Sequence, residues 1–323
     1  VTSLLEALPY RLPNSDCFAK AVWAHRIKKQ EKIDMTASNA DNASKSPEVG
    51  KTIKTGSLLT NYHDAGAGKP ILLLHGSGPG VTAWANWRLI LPVLAERSRV
   101  IAPDLAGFGY TVSEKEVSFD IDLWMEQISA LLDALKLPKV CIIGNSFGGA
   151  MALHFAAQHP ERVEKIVLMG SVGTSFPLTY GLDRVWGYGG SLEEMRELIG
   201  IFAYDQSIAT DDLLQLRYAA SIRDDVQKRF AALFPAPRQR WIDALALKED
   251  QLSALSLPVL LIHGVNDAVI PIESSRALSA RLRDARLVEI DECGHWVQIE
   301  KTAQFIEEVY AFLDLDDNGG NLS

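Results

Sequence analysis

The chain has 323 residues, 47% of them hydrophobic and 23% charged, and 32 basic against 41 acidic side chains leave a formal charge of −9. Intrinsic disorder is excluded as the main state, and the acidic balance argues against a nucleic-acid or anionic-membrane surface, since each needs a basic patch. No apolar run approaches the roughly 18 residues of a membrane helix. Cys17, Cys141 and Cys293 form no C-x-x-C pair, so neither a disulfide framework nor a zinc site is expected, and the expected compartment is the reducing cytoplasm.

Residues 1–34 differ from the rest, with Arg11, Lys20, Arg26, Lys28, Lys29 and Lys32 against Glu6, Asp16, Glu31 and Asp34. They lack the order of a secretory signal. The first methionine is Met35, and Thr36 to Pro47 are rich in Ser, Asn and Ala. Residues 1–47 are therefore expected to be a disordered extension, with 1–34 an upstream translation and the functional chain starting near Met35. Thr52 to Asp64 suits an antiparallel hairpin at a sheet edge. Short apolar runs then recur at Ile71–His75, Val100–Ala102, Val140–Ile143, Ile166–Met169 and Val259–His263, with a mixed sixth at Arg286–Ile290. Continuous apolar runs of this length suit strands buried on both faces of a parallel sheet. Helical periods lie between them, as in Leu123 to Leu132 and Ala150 to Phe155, so the class is α/β with right-handed crossovers. The rhythm breaks after Met169. No strand-like run appears between about Ser175 and Leu247, a stretch rich in helix formers and aromatics. It is too long for a loop and reads as a helical insertion. The expected division is a core of residues 48–174 and 248–313, a helical cap of 175–247, and a flexible acidic tail of 314–323.

Gly144-Asn145-Ser146-Phe147-Gly148 lies between a buried run and a helical one, which is G-x-S-x-G in strand–turn–helix context. A nucleophilic serine needs a tight turn with its hydroxyl clear of the backbone, and the glycines let neighbouring chain pass. Two later residues complete the order Ser…acid…His. Asp267, 121 residues on, follows one apolar run, and His295, 28 residues further, follows the next. All three fall at the C-terminal edge of one parallel sheet, where open α/β folds bind ligands. Serine needs histidine to take its proton, and histidine needs an acid to hold its tautomer. A turn-capping Asp and a solvated loop His are the competing readings for each taken singly. Acyl chemistry also needs two backbone N–H donors for an oxyanion. The Phe147 N–H and, from the loop His75-Gly76-Ser77-Gly78-Pro79-Gly80, the Ser77 N–H are the candidates. No phosphate-cradle or metal spacing is present, and the triad calls for no cofactor.

Together these residues resemble the α/β-hydrolase superfamily, and within it the meta-cleavage product hydrolases, most nearly those acting on 2-hydroxymuconate semialdehyde. The resemblance runs from about residue 48 to 313. It is carried by His75 to Arg88, Val100 to Gly109, Gly144 to Gly149, Ile201 to Asp205, Leu216 to Ile222, Phe234 to Ala246 and Cys293 to Glu300. It implies an α/β-hydrolase fold, a mostly parallel twisted sheet flanked by helices with a helical cap inserted between two strands. It also implies that Asn86, Asn145, Arg217 and Trp296 orient the carboxylate and dienolate part of a substrate. Arginine, with its bidentate fork, suits a carboxylate. A solvent-facing helix Arg, a packing Trp and a turn-capping Asn are the plainer readings. The implied reaction cleaves 2-hydroxy-6-oxohexa-2,4-dienoate, or a short 6-alkyl analogue, to 2-hydroxypenta-2,4-dienoate and formate or a short acid. Either an acyl-enzyme or a gem-diol intermediate is compatible with these residues. Val172, Ile242 and Ile270 are candidates for lining an acyl-side pocket, with ordinary core as the alternative; branched side chains there would favour a small tail over phenyl.

The resemblance further implies a small-molecule dienoate partner and a homo-oligomer of unspecified number, while the charge balance and apolar runs lead to the expectation of no nucleic-acid and no membrane partner. Rival readings are a phenyl-substituted dienoate hydrolase of the biphenyl type, a carboxylesterase or cofactor-free perhydrolase on the same fold, and a non-catalytic ligand receptor. Dehalogenases and epoxide hydrolases place Asp where this chain has Ser146. An intact Ser146, Asp267 and His295 argues against a receptor, because binding alone needs no activated nucleophile.

Overall fold

The computed structural model describes residues 46–223 and 225–315. The expected extension over residues 1–47 therefore falls almost wholly outside the described residues, as do Cys17 and all but the first two residues of the tail 314–323. The described residues belong to one compact unit.

An antiparallel hairpin of β1 (Lys51–Thr55) and β2 (Leu58–Ala65) opens the sheet, turning at Gly56 with φ of 59°. Next come β3 (Pro70–Leu74), the short helices α1 (Ala83–Trp87) and α2 (Leu91–Leu94), and β4 (Arg99–Pro103). β5 (Val112–Ser113) pairs with β2 and is too short to leave a pattern in the sequence. α3 (Ile121–Ala134), capped by the Asp120 side chain on Leu123 N, leads into β6 (Val140–Asn145), α4 (Phe147–Gln158) and β7 (Val163–Met169).

Among the described residues, six α-helices then precede the next strand. They are α5 (Tyr180–Trp186), α6 (Leu192–Phe202), α7 (Asp211–Ser221), α8 (Val226–Leu233), α9 (Gln239–Leu245) and α10 (Glu249–Ala254). Ser191 and Glu194 form a capping box at the start of α6, and Thr179 and Thr210 cap α5 and α7 by accepting from the third helical N–H. The chain returns to the sheet as β8 (Val259–Gly264), α11 (Ile272–Arg281) and β9 (Ala285–Ile290), and closes with α12 (Val297–Glu300) and α13 (Thr302–Leu313).

The strand order is β1-β2-β4-β3-β6-β7-β8-β9. The pairs from β4–β3 to β8–β9 are parallel, and β1–β2 and β2–β4 are antiparallel. Alternate residues of each central strand enter opposite cores. Leu72, Leu74, Ile142 and Leu261 join one apolar cluster; Ile71, Leu73, Ile143 and Ile262 join the other. That two-sided burial explains the unbroken apolar runs. Cys141 and Cys293 are buried free thiols, pushed up by burial to about 11 and about 12.

Candidate active site

Ser146 joins β6 to α4 with φ of 53° and ψ of −113°, a backbone state that costs a side-chain-bearing residue about 1–3 kcal/mol. The flanking glycines allow it. A Cβ on Gly144 would collide with Gly148 O and Gly149 Cα, and one on Gly148 with Leu74 O of β3. Ser146 N donates to Met169 O at the end of β7 (2.9 Å), which fixes the turn against the neighbouring strand. Ser146 itself is almost fully enclosed.

Asp267 and His295 meet beyond β8 and β9. His295 Nδ1 donates to Asp267 Oδ2 at 2.7 Å, which leaves Nε2 as the base nitrogen. Asp267 Oδ1 accepts from Val269 N (2.8 Å) and Ile270 N (2.9 Å), and His263 Nε2 lies 3.1 Å from Oδ2. Burial, the largest influence, would raise the Asp267 carboxyl. The combined pull of His295 and His263 holds it well below the usual carboxylate range. Both residues pack over Gly170, where a Cβ would touch His295 Nδ1 and Asp267 Oδ2; Gly170 directly follows the Met169 that holds Ser146 N. No Ser146–His295 hydrogen bond is present among the described residues; bonds of this kind often tighten only in the reacting complex.

The Gly-rich loop after β3 is held from below by His75. Its Nδ1 donates to Gly76 O (2.7 Å) and its Nε2 accepts from Leu105 N (2.9 Å), so the ring is neutral, and burial pushes it down to about 4. Ser77 Oγ accepts from Trp186 Nε1 of α5 (2.9 Å), which leaves the Ser77 N–H for other use. Phe147 opens α4, so its N–H is one of the four without an acceptor inside the helix. Neither amide has an acceptor among the hydrogen bonds of the described residues.

A small cavity opens beside the Gly-rich loop, lined by its Gly76 and Gly78. Asn86, Asn145, Arg217, His295 and Trp296 all line it, with Phe202 from the end of α6. Asn86 Oδ1 accepts from Gly76 N (3.4 Å) and its buried Nδ2 has no partner; Asn145 Nδ2 donates to Met169 O (3.2 Å). Arg217 Nη2 donates to Pro79 O (3.3 Å), and among the described residues the guanidinium has no carboxylate partner. Burial pulls it down to about 10, with Glu48 opposing and Arg88 adding to the fall. A half-buried cation without a carboxylate partner at a cavity wall is a site for an anionic ligand.

The region between β7 and β8 also grips the histidine loop. Phe202 O accepts from His295 N (2.8 Å) and Trp296 N (3.3 Å), and the Phe202 ring stacks on Trp296 with centroids 4.8 Å apart. Glu300 Oε1 accepts from Gly294 N (2.9 Å), while its Oε2 accepts from Tyr204 N (2.8 Å) and Asp205 N (3.0 Å).

A family model described as the alpha/beta hydrolase fold matches residues 69–302. A 2-hydroxymuconate semialdehyde hydrolase from Pseudomonas sp. (strain CF600) is 51% identical over 83% of this chain and 95% of its own length. The 2-hydroxy-6-oxo-2,4-heptadienoate hydrolase of Pseudomonas putida F1 is 48% identical over 84% of this chain and 98% of its own. A solved meta-cleavage product hydrolase from Pseudomonas fluorescens IP01 is 48% identical, with a TM-score of 0.82 over 83% of this chain and 98% of that one. The chain belongs to the α/β-hydrolase family, in its meta-cleavage product hydrolase branch.

For this α/β hydrolase, the structure brings Asn86, Asn145, Arg217, His295 and Trp296 around one cavity, whereas Ser146, Ser77, Phe147 and Asp267 lie outside its lining. Val172, Ile242 and Ile270 are packed in the core at 1% exposure or less and do not line the cavity. Its apolar walls include Val81, Phe202, Leu213 and Ile299 instead. Sequence reasoning missed Phe202, Glu300 and His263. Phe202 and Glu300 stand within Ile201 to Asp205 and Cys293 to Glu300, two of the segments that carry the resemblance, but nothing in either shows that they touch. His263 reads as the last residue of a buried strand.

Proposed function

We propose that this hydrolase cleaves the C5–C6 bond of 2-hydroxy-6-oxohexa-2,4-dienoate or a short 6-alkyl analogue. The products are 2-hydroxypenta-2,4-dienoate and formate or a short carboxylic acid. The observation that carries the reading is Arg217, a half-buried cation without a carboxylate partner among the described residues, lining the same cavity as His295. The relatives whose names specify the semialdehyde and the heptadienoate support a small tail.

Arg217 binds the substrate carboxylate, and Asn86, Asn145 and Trp296 orient the dienolate. Ketonisation turns that arm into an electron sink. His295 Nε2 takes the Ser146 proton as Oγ attacks the C6 carbonyl, and the Ser77 and Phe147 N–H groups hold the oxyanion. Collapse of the tetrahedral adduct breaks C5–C6. The electron pair passes along the chain, which ketonisation has already protonated at C5, to the C2 oxygen, and the proton from His295 neutralises that dienolate as the 2-hydroxydienoate. Water, deprotonated by His295, then attacks the acyl-Ser146 ester and releases the acid. Asp267 holds the His295 tautomer and stabilises its cation throughout. Rapid quench with substrate labelled at C6 distinguishes acyl-Ser146 from a gem-diol route, in which Ser146 serves as base for water.

In this reading residues 175–247 form the cap over a core of 48–174 and 248–313. The enzyme works in the cytoplasm as a homo-oligomer, which sedimentation analysis checks. Among the described residues no helix is long and apolar enough to cross a membrane. The deciding assay follows bleaching of the yellow ring-fission products of catechol, 3-methylcatechol and 2,3-dihydroxybiphenyl beside hydrolysis of an aryl ester. The first two should be turned over fastest. Faster turnover of the ester would make the enzyme an esterase, and equal rates with the phenyl substrate would remove the tail preference.

A further inference from the structure

His263 is fully enclosed at the end of β8, and the reaction as written makes no use of it. Its Nε2 is 3.0 Å from Ile270 O and 3.1 Å from Asp267 Oδ2. Neither neighbour offers a proton to it, so Nε2 carries one, aimed at the carbonyl and lying beside the carboxylate. Its Nδ1 is 2.7 Å from Ser275 Oγ, a buried hydroxyl on α11 that fixes the ring from the other side. Ile270 and Val269 supply the two backbone N–H groups on Asp267 Oδ1. One imidazole thus pins the loop that positions the acid and places its own polar proton beside the oxygen that holds His295.

We propose that His263 is a positioning residue for the triad: it holds the Asp267 loop through Ile270 O and shares Asp267 Oδ2 with His295, tempering the acid's hold on the charged form of His295. The proposal rests on the reading of His295 as the general base. Two donors at one carboxylate oxygen divide its negative charge between them. Removing the His263 proton leaves more of that charge for His295, so the cationic form of His295 persists to higher pH and the base is lost sooner on acidification.

Other charged groups face these residues. Glu289 on β9 is in register with His263 and is held by Arg276 of α11 at 2.7 Å. Cys293, after β9, feels Asp267, and burial keeps its thiol protonated to about 12. Arg88 and Arg217 share the cavity with His295. Of these, Glu289 also feels His263, and its ion pair with Arg276, the larger influence, holds it below the usual carboxylate range.

The test is the pH dependence of kcat/KM on the catechol ring-fission product for wild type, His263→Leu, His263→Gln and Ser275→Ala, with folding followed by circular dichroism. In His263→Leu the acid limb should move up by about half a pH unit or more, roughly a threefold loss below the limb relative to the plateau. His263→Gln, whose amide can still donate, should keep its limb within about 0.2 unit of wild type. Ser275→Ala should fall between. A folded His263→Leu enzyme with an unmoved limb, however low its plateau, overturns the proposal, as does an equal shift in the Gln variant. If the Leu variant does not fold, an unmoved limb in Ser275→Ala overturns it. A His295→Gln control that keeps turnover would instead sink the triad reading.

Discussion

Asp267 accepts hydrogen bonds from Val269 N, Ile270 N and His295 Nδ1, whereas Arg217, half-buried at the cavity wall, gives one N–H to Pro79 O and has no carboxylate partner among the described residues. The anion lies well below its ordinary carboxylate range, and the cation is pulled down to about 10. A charge met on several sides by the fold is a component of the machinery. A charge left without a counter-ion at a cavity wall is held ready for something that arrives. The two charges thus differ in what completes them: protein around Asp267, ligand at Arg217.

Paired substitutions can break that contrast. Asp267→Asn should reduce kcat by about 10⁴-fold, since the amide misplaces the His295 tautomer, and should lower Tm because buried donors lose their acceptor. Arg217→Met should reduce kcat/KM by about 30- to 1,000-fold, mostly through KM, because the substrate carboxylate then enters unpaired. Its Tm should hold or rise, since a half-buried charge without a carboxylate partner has been removed. Steady-state kinetics and thermal melts of both variants check the opposite signs. A clear fall of Tm in Arg217→Met would mean that Arg217 is structural.

Glu300 is the next test, because it ties the histidine loop to the segment after α6. It ties Gly294, beside His295, to Tyr204 and Asp205, beyond the cavity-lining Phe202. Glu300→Gln keeps one acceptor oxygen and should cost about tenfold in kcat/KM, with faster amide exchange at residues 204, 205 and 294. Unchanged exchange at all three would show that the clasp bears no load.

The smallest effect is on stability against pH. Asp267, depressed in the fold, contributes stability that is full above the ordinary carboxylate value and is lost as pH falls through its folded value. Asp104, raised by burial to about 6 while accepting from Ala83 N, Tyr110 N and Asn61 Nδ2, acts the other way. Its stabilising share is present below about 4 and disappears as pH rises to about 6. Denaturant titrations of Asp104→Asn should lose that downward slope, and those of Asp267→Asn should lose the acid-side fall.

The parallel sheet was legible because its strands are buried on both faces, so the alternation of polar and apolar residues gives way to unbroken runs such as Ile71 to Leu74. Ser146 and Asp267 stood out because each follows such a run; His295 follows the mixed strand β9 and stood out through the order Ser…acid…His. β5 has two residues and no pattern to read. Val172, Ile242 and Ile270 were proposed as pocket lining because a branched apolar residue near a strand end looks the same whether it faces a cavity or the core. The Glu300 contacts join residues about 95 positions apart, a distance over which spacing carries no signal. His263 lacked a signal too, since its role depends on which side of β8 faces Asp267.

The most direct measurement compares wild type with Ser146→Ala on the yellow catechol ring-fission product, following bleaching and, separately, binding by the shift of the dienoate absorption. The expected result is a loss of turnover of at least about 10⁴-fold with binding retained through Arg217. Bleaching by Ser146→Ala within tenfold of wild type would contradict the assignment of Ser146 as the reacting group.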